Sequence, residues 1–335
     1  MKARMAAVAL ALTVGVVLVA GSASAAIHEF DRAWLQFVGS GNPSATSLQM
    51  GKLAPRLAWS YQLARGKDAM MAAAPEEGVP PEGEPMAAEN PWFSDPRGFL
   101  TYHYASNRDR RRGGLDSDLN GGTVGLTFRG AGNTIVGLIY DYTHAEGHGP
   151  AQVSSNAETN SFTLLLGNNV DIVYFGSSFT FGDTAIRTRQ WPRRTKVDLN
   201  TFSMAPYVGV AAYQQGPLTC TSTLTMVWRW QDFNYNRNIR SDDASDGTLV
   251  LMNRADYMMA RNCVLTGIFD WNRVLQEEFT NTAPAEDPDH CWFTLGAKIR
   301  YYLAENVELY GGYTADVGNE SYENHQVDMG VSISF

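Results

Sequence analysis

From Arg97 to Phe335 the chain is a succession of segments in which apolar and polar residues alternate, and the connections between them alternate as well, short then long. Period two marks a strand with one apolar and one polar face. Twelve such segments can be read, at 97–106, 121–130, 133–144, 158–167, 170–182, 200–214, 218–233, 248–260, 263–275, 291–303, 307–318 and 324–335. After the even-numbered ones the connections are "AG", "NN", "QGP", "RN" and "AEN". After the odd-numbered ones they are long, as in "NRDRRRGGLDSDLN" and "DTAIRTRQWPRRTKVDL", and only the eleventh, "NESYE", is short. Short turns on one rim, long loops on the other and an even strand count describe a transmembrane barrel. A soluble sandwich has no reason to sort its loops in this way. The expected fold is all-β: an antiparallel, up-and-down transmembrane β-barrel of about twelve strands, preceded by a short helical or disordered N-terminal segment.

Alternate residues then divide into two faces. Val124, Leu126 and Phe128, with Val136, Leu138, Tyr140 and Tyr142, read as outward. So do Leu224, Met226, Trp228 and Trp230, and Leu295, Ala297, Ile299 and Tyr301. The opposite phase carries Asp141, Arg229, Arg254, Asp256, Asp270, Lys298, Arg300, Glu308, Asp316 and Asp328, the candidate lumen-lining residues. A cation at mid-membrane on the lipid side costs about 2–4 kcal/mol, so the inner phase is where these charges belong. Their mixed sign suits either a salt-bridged interior or a solute pore.

The chain begins with Lys2 and Arg4, an apolar run over Met5–Ala20, and "ASA" at Ala23–Ala25. That is the pattern of a secretory signal peptide over 1–25, cleaved after Ala25. Residues 26–67 carry Ile27, Phe30, Trp34, Phe37 and Val38 near helical spacing and read as a short helical segment. Residues 68–95, rich in Pro, Ala and Glu, read as an acidic linker, and 96–335 as the barrel. A net charge of −9 argues against nucleic acid as a partner. Cys220 and Cys263 fall two strands apart, about 9–10 Å, and Cys291 at the opposite rim, so no pair meets the roughly 7 Å limit for a disulfide.

Motifs for chemistry are weak. "DSDLNGG" (Asp116–Gly122) starts like a calcium loop, but the twelfth position is Thr127 where a bidentate Glu is needed. His144 and His148 in "HAEGH" have no third ligand. No nucleophile elbow, zinc motif or phosphate loop is present, so no catalytic residue, cofactor or metal is expected. Two basic clusters, Arg108, Arg110, Arg111 and Arg112, and Arg187, Arg189, Arg193 and Arg194, fall in long-rim loops. Arginine pairs bidentately with phosphate oxygens, so both are candidate contacts for lipopolysaccharide.

Residues 96–335 resemble the β-domain of autotransporters. The resemblance rests on "LNGGTVGLTFRGAGNTIVGLIYDYTHAEG", "TNSFTLLLG", "MAPYVGVAAY", "LGAKIRYYLAENVELYGGY" and the terminal "GVSISF". It implies a twelve-stranded barrel in the bacterial outer membrane, a terminal Phe335 read by the barrel-assembly machinery, and a linker through the pore. No repetitive passenger lies before the barrel. The expected function is therefore a non-enzymatic outer-membrane barrel, either a passive channel or a structural protein. The alternative is a translocator for a short N-terminal or separate cargo. Membrane lipid, lipopolysaccharide, small solutes or the chain's own N-terminal segment are the expected partners. Epitope tags within 107–120, 186–199 or 234–247 are expected to be labelled on intact cells; labelling at Asn168–Asn169 instead would reverse the orientation.

Overall fold

The computed structural model describes Lys52 and residues 94–109, 116–130, 134–149, 153–190, 193–235, 242–260, 262–279, 291–304, 306–318 and 322–335. Its strands are β1 (Ser94–Asp109), β2 (Asp116–Arg129), β3 (Thr134–Gly149), β4 (Val153–Val170), β5 (Val173–Gln190) and β6 (Arg193–Gln215). They continue as β7 (Leu218–Tyr235), β8 (Asp242–Ala260), β9 (Cys263–Phe279), β10 (Cys291–Ala304), β11 (Val307–Val317) and β12 (Tyr322–Ser334). Each pairs antiparallel with its neighbours in sequence, and β1 pairs with β12, so the sheet is a closed twelve-stranded barrel.

Closure runs from Arg97 opposite Ser334 to Asp109 opposite Tyr322. Beyond the last pair, the Phe335 N–H donates to the Pro96 carbonyl at 2.9 Å. Leu100, Leu126, Leu138, Phe162, Ile299 and Met329 are each more than 40 % exposed and stand on one phase, the outer face. In water that surface would be untenable; in hydrocarbon it is the required one, and closure leaves the sheet no unpaired edge. Met226 keeps the outward phase but is buried.

The strands run further than their apolar pattern suggests. β5 and β6 extend over Ile186–Gln190 and Arg193–Leu199, leaving only residues 191–192 between them. The long connection expected there is therefore mostly paired strand. Ile186 and Thr188 are buried while Arg187 and Arg189 are exposed, so the alternation persists beneath the charge. The same holds at "DSDLNGG" and "HAEGH", which lie in β2 and β3 and not in loops. Extended backbone puts Asp116, Asp118 and Asn120 in a row on the outer face, where they cannot wrap a cation. His144 and His148 are likewise about 13 Å apart along their strand.

The β4–β5 turn is also displaced from its expected place at Asn168–Asn169. Val170 pairs with Val173, and the turn is Asp171–Ile172, with Asp171 at φ 60°. A short polar side chain tolerates that left-handed conformation, and Asn168 instead donates to Thr134 Oγ1 at 3.2 Å within the ladder. The "GG-x-x-G" of β2 has a packing reason: Gly121 faces His103 and Gly125 faces Phe99 across the β1–β2 ladder, and a Cβ at either position would collide with that ring. Cys220, Cys263 and Cys291 are free thiols.

Leu138 stands in the outer belt opposite Leu126 and Leu164. Leu138→Arg is expected to destabilise the barrel by about 2–4 kcal/mol, read from urea unfolding in lipid vesicles. An unchanged midpoint would remove this strand face from the lipid.

Candidate functional site

The inner phase holds the candidate site, and its charges come as matched sets. Arg229 on β7 donates from Nε to Asp246 Oδ1 at 2.8 Å and from Nη2 to Oδ2 at 2.6 Å, a bidentate fork across to β8. Arg254 on β8 grips Asp270 on β9 in the same way, at 2.5 and 3.3 Å. Thr266 donates to Asp256 at 2.5 Å. Lys298 lies 3.5 Å from Asp328, with its ammonium 3.7 Å above the Tyr310 ring, and Arg300 lies 3.8 Å from Glu308. Asp316 accepts from Thr294 at 2.6 Å and from Asn324 at 3.0 Å.

Asp141 is the centre of a second cluster. It accepts from Thr123 at 2.5 Å and from Thr143 at 2.9 Å, and His103 Nδ1 lies 3.9 Å away. His103 Nε2 is 3.3 Å from Thr143 Oγ1. A histidine between an aspartate and a hydroxyl superficially suggests a nucleophilic triad. Thr143 donates to Asp141, and together with Thr123 and His103 it forms a buried hydrogen-bonded set across β1–β3.

The site has members that sequence reasoning missed. The most telling is Lys52, far ahead of the first strand in the chain. Its ammonium is 3.5 Å from Asp270 Oδ2, and its side chain is 7 % exposed. Asp270, fully buried, thus answers two cations, Lys52 and Arg254. Nothing in the local pattern around Lys52 marks it, because the partner is more than two hundred residues away in sequence. Apart from Lys52, the short helical segment expected over residues 26–67 lies outside the described residues. The inner wall also holds apolar side chains where a polar lining was expected. Ile135, Ile139, Leu165 and Val250 are at most 1 % exposed. Tyr174 also points inward, its hydroxyl paired with that of Thr223.

The basic clusters separate. Arg108 sits between Asp116 and Glu323, 3.9 Å from each, so carboxylates already face it. Arg110, Arg111 and Arg112 lie outside the described residues. Arg187, Arg189 and Arg194 are exposed on β5 and β6; Arg193 is in β6, its side chain not described. Phe335 is 77 % exposed, its ring beside Gly98 at the closure seam.

No protein-family model and no curated protein matches the chain. Solved structures do. The translocator domain of autotransporter NalP from Neisseria meningitidis matches with a TM-score of 0.58 and 16 % identity, over 84 % of this chain and 98 % of that one. The β-domain of the Bordetella autotransporter BrkA matches with 0.52 and 13 %, over 72 % and 99 %. The transport unit of AIDA-I from Escherichia coli matches with 0.51 and 11 %, over 81 % and 99 %. At these identities the likeness is one of fold, and the fold is that of an outer-membrane β-barrel.

Asp270→Ala would leave two buried cations without their carboxylate. Losing one partner of a buried pair costs about 3–5 kcal/mol, so the urea midpoint should fall well below that of the parent barrel. A midpoint equal to the parent's would mean that water already solvates Lys52 and Arg254.

Proposed function

We propose that this protein is a non-enzymatic outer-membrane barrel that holds part of its own N-terminal region in the lumen. It is then a plugged conduit and not a steadily open channel. Lys52 carries the reading. It precedes β1, yet it meets Asp270 on the inner wall and is buried. Side chains reach the inner wall of a closed barrel only from within the lumen, so the backbone that bears Lys52 enters there. Two further features support it. A water-filled lumen would leave Ile135, Ile139 and Leu165 wet, whereas they are buried. Among the described residues, Arg229, Arg254 and Lys298 of the inner wall are also answered by Asp246, Asp270 and Asp328, which mixes the sign of the lining where an ion-selective pore would carry a single-sign ring.

The likeness to translocator domains favours a second reading from the same observation, in which the segment occupies the lumen because it is, or once led, an exported cargo. Protease shaving of intact cells separates the two. Cleavage within residues 26–50 supports export, and protection supports a resident plug.

The test of the plug is conductance in planar bilayers. Deleting 26–90 while keeping the leader is expected to raise single-channel conductance several-fold over the full chain. Lys52→Ala should raise the frequency of open events with a smaller change in size. Unchanged conductance in the deletion, with folding confirmed by heat-modifiable gel mobility, would overturn the plug.

A further inference from the structure

The outer face of β3–β7 carries an unbroken row of aromatic side chains, one per strand. Tyr140 stands opposite Phe162, Phe162 opposite Phe181, Phe181 opposite Phe202, and Phe202 opposite Trp230. The Phe181 and Phe202 rings are 5.0 Å apart, and Phe202 and Trp230 are 5.4 Å apart. An open groove follows this row, bordered on one side by Asn160, Asp183, Asn200 and Asp232. Tyr140 donates its hydroxyl to Asn160 at 2.7 Å, from the apolar row into the polar one. Tyr140 and Trp230, at the two ends of the row, carry the polar tip that gathers where hydrocarbon meets headgroup, and with the polar border they mark the outer interface.

Farther out on β5–β6, two consecutive outward pairs are cation against cation. Arg187 faces Lys196, and Arg189 faces Arg194. Like charges directly opposite one another destabilise a sheet unless a counter-charge lies between them. The outward carboxylates of β4–β7 are Glu158, Asp183, Asp198 and Asp232, of which Asp198 holds Lys196 at 3.1 Å. These carboxylates lie between the aromatic row and the cation pairs, and none stands directly opposite Arg187 or Arg189, whose partners across the ladders are Asn156 and Lys196, and Ser154 and Arg194. Phe181 to Arg187 is about 20 Å along the strand, or about 15 Å along the barrel axis at the usual tilt. Arginine side chains reach back several ångströms towards the membrane. The arginines therefore stand on the headgroup side of the aromatic row.

We propose that this face binds a phosphorylated glycolipid of the outer leaflet. Its phosphate sits among Arg187, Arg189 and Arg194, and its acyl chains lie along Phe181, Phe202 and Trp230. The guanidinium forks match phosphate oxygens bidentately, and the groove supplies a flat apolar bed. The proposed contact takes the second of the two basic clusters, whose Arg187, Arg189 and Arg194 lie on paired strand.

The test uses the full-length barrel in detergent micelles, with binding read by native mass spectrometry. The probes are a bisphosphorylated lipid A, its dephosphorylated form and a zwitterionic phospholipid. The expected result is retention of the bisphosphorylated lipid, at least tenfold weaker binding of the other two, and no displacement by millimolar inorganic phosphate. Combined Arg187→Gln, Arg189→Gln and Arg194→Gln should weaken binding about tenfold or more, while the corresponding Lys variants retain part of it. Phe202→Ala should weaken the lipid irrespective of its phosphates. Should the triple variant not fold, Arg189→Gln alone is measured, with a severalfold loss expected. Equal binding by the Gln variants, equal binding of the dephosphorylated lipid, or displacement by inorganic phosphate would each overturn the site.

Discussion

The backbone ladder between β1 and β12 is the interaction on which the rest depends. Hydrocarbon offers no water to an unpaired N–H or carbonyl, and each such group costs several kcal/mol, so a sheet survives there only without edges. The β1–β12 seam meets that demand from Arg97 to Asp109 and adds the Phe335 N–H on the Pro96 carbonyl. Closure in turn gives every residue a side. A slip of one residue in any ladder would send Asp141 or Asp270 to the lipid and Leu138 to the interior, so the faces and the register hold each other in place.

Inside that wall, the low dielectric sets the terms for charge. A buried carboxylate is tolerable where its partners are close and its lone pairs are filled. Asp270 and Asp141 are nearly inaccessible, and each has several polar neighbours, Arg254 and Lys52 for the first and Thr123, Thr143 and His103 for the second. The two clusters stand on different parts of the wall and use different means. One is ionic and draws on a residue outside the barrel strands. The other is mostly hydroxyl and rests on β1–β3, where glycines on β2 give His103 and Phe99 room to lie across the ladder. The outer face obeys the opposite rule, with apolar side chains in the belt, aromatics at its edge and arginines beyond it.

Much of this was legible in the residues. Period two from Arg97 onward, with turn residues between, was enough for twelve strands in meander order. The errors cluster where local chemistry imitates a loop. "TAIRTRQ" has strand alternation, but its charges hide it, and "HAEGH" has a glycine at a place a paired strand tolerates. "NN" reads as a turn, yet the ladder claims both residues and Asp171 takes the left-handed conformation. In each case pairing with a neighbouring strand outweighed the local signal, as tertiary context does for β structure generally.

The sequence by itself determined the class of fold and the strand order. Those follow from a period of two and from turn chemistry, both of which act over a few residues. Only the tertiary structure decided which charges meet and what stands in the lumen. Arg254 finds Asp270 through adjacent strands, and Lys52 finds the same carboxylate across most of the chain. Likewise, the aromatic row and the paired arginines exist only once five strands are laid side by side in register. Such encounters depend on closure and on the path of the chain through space, which no local pattern encodes.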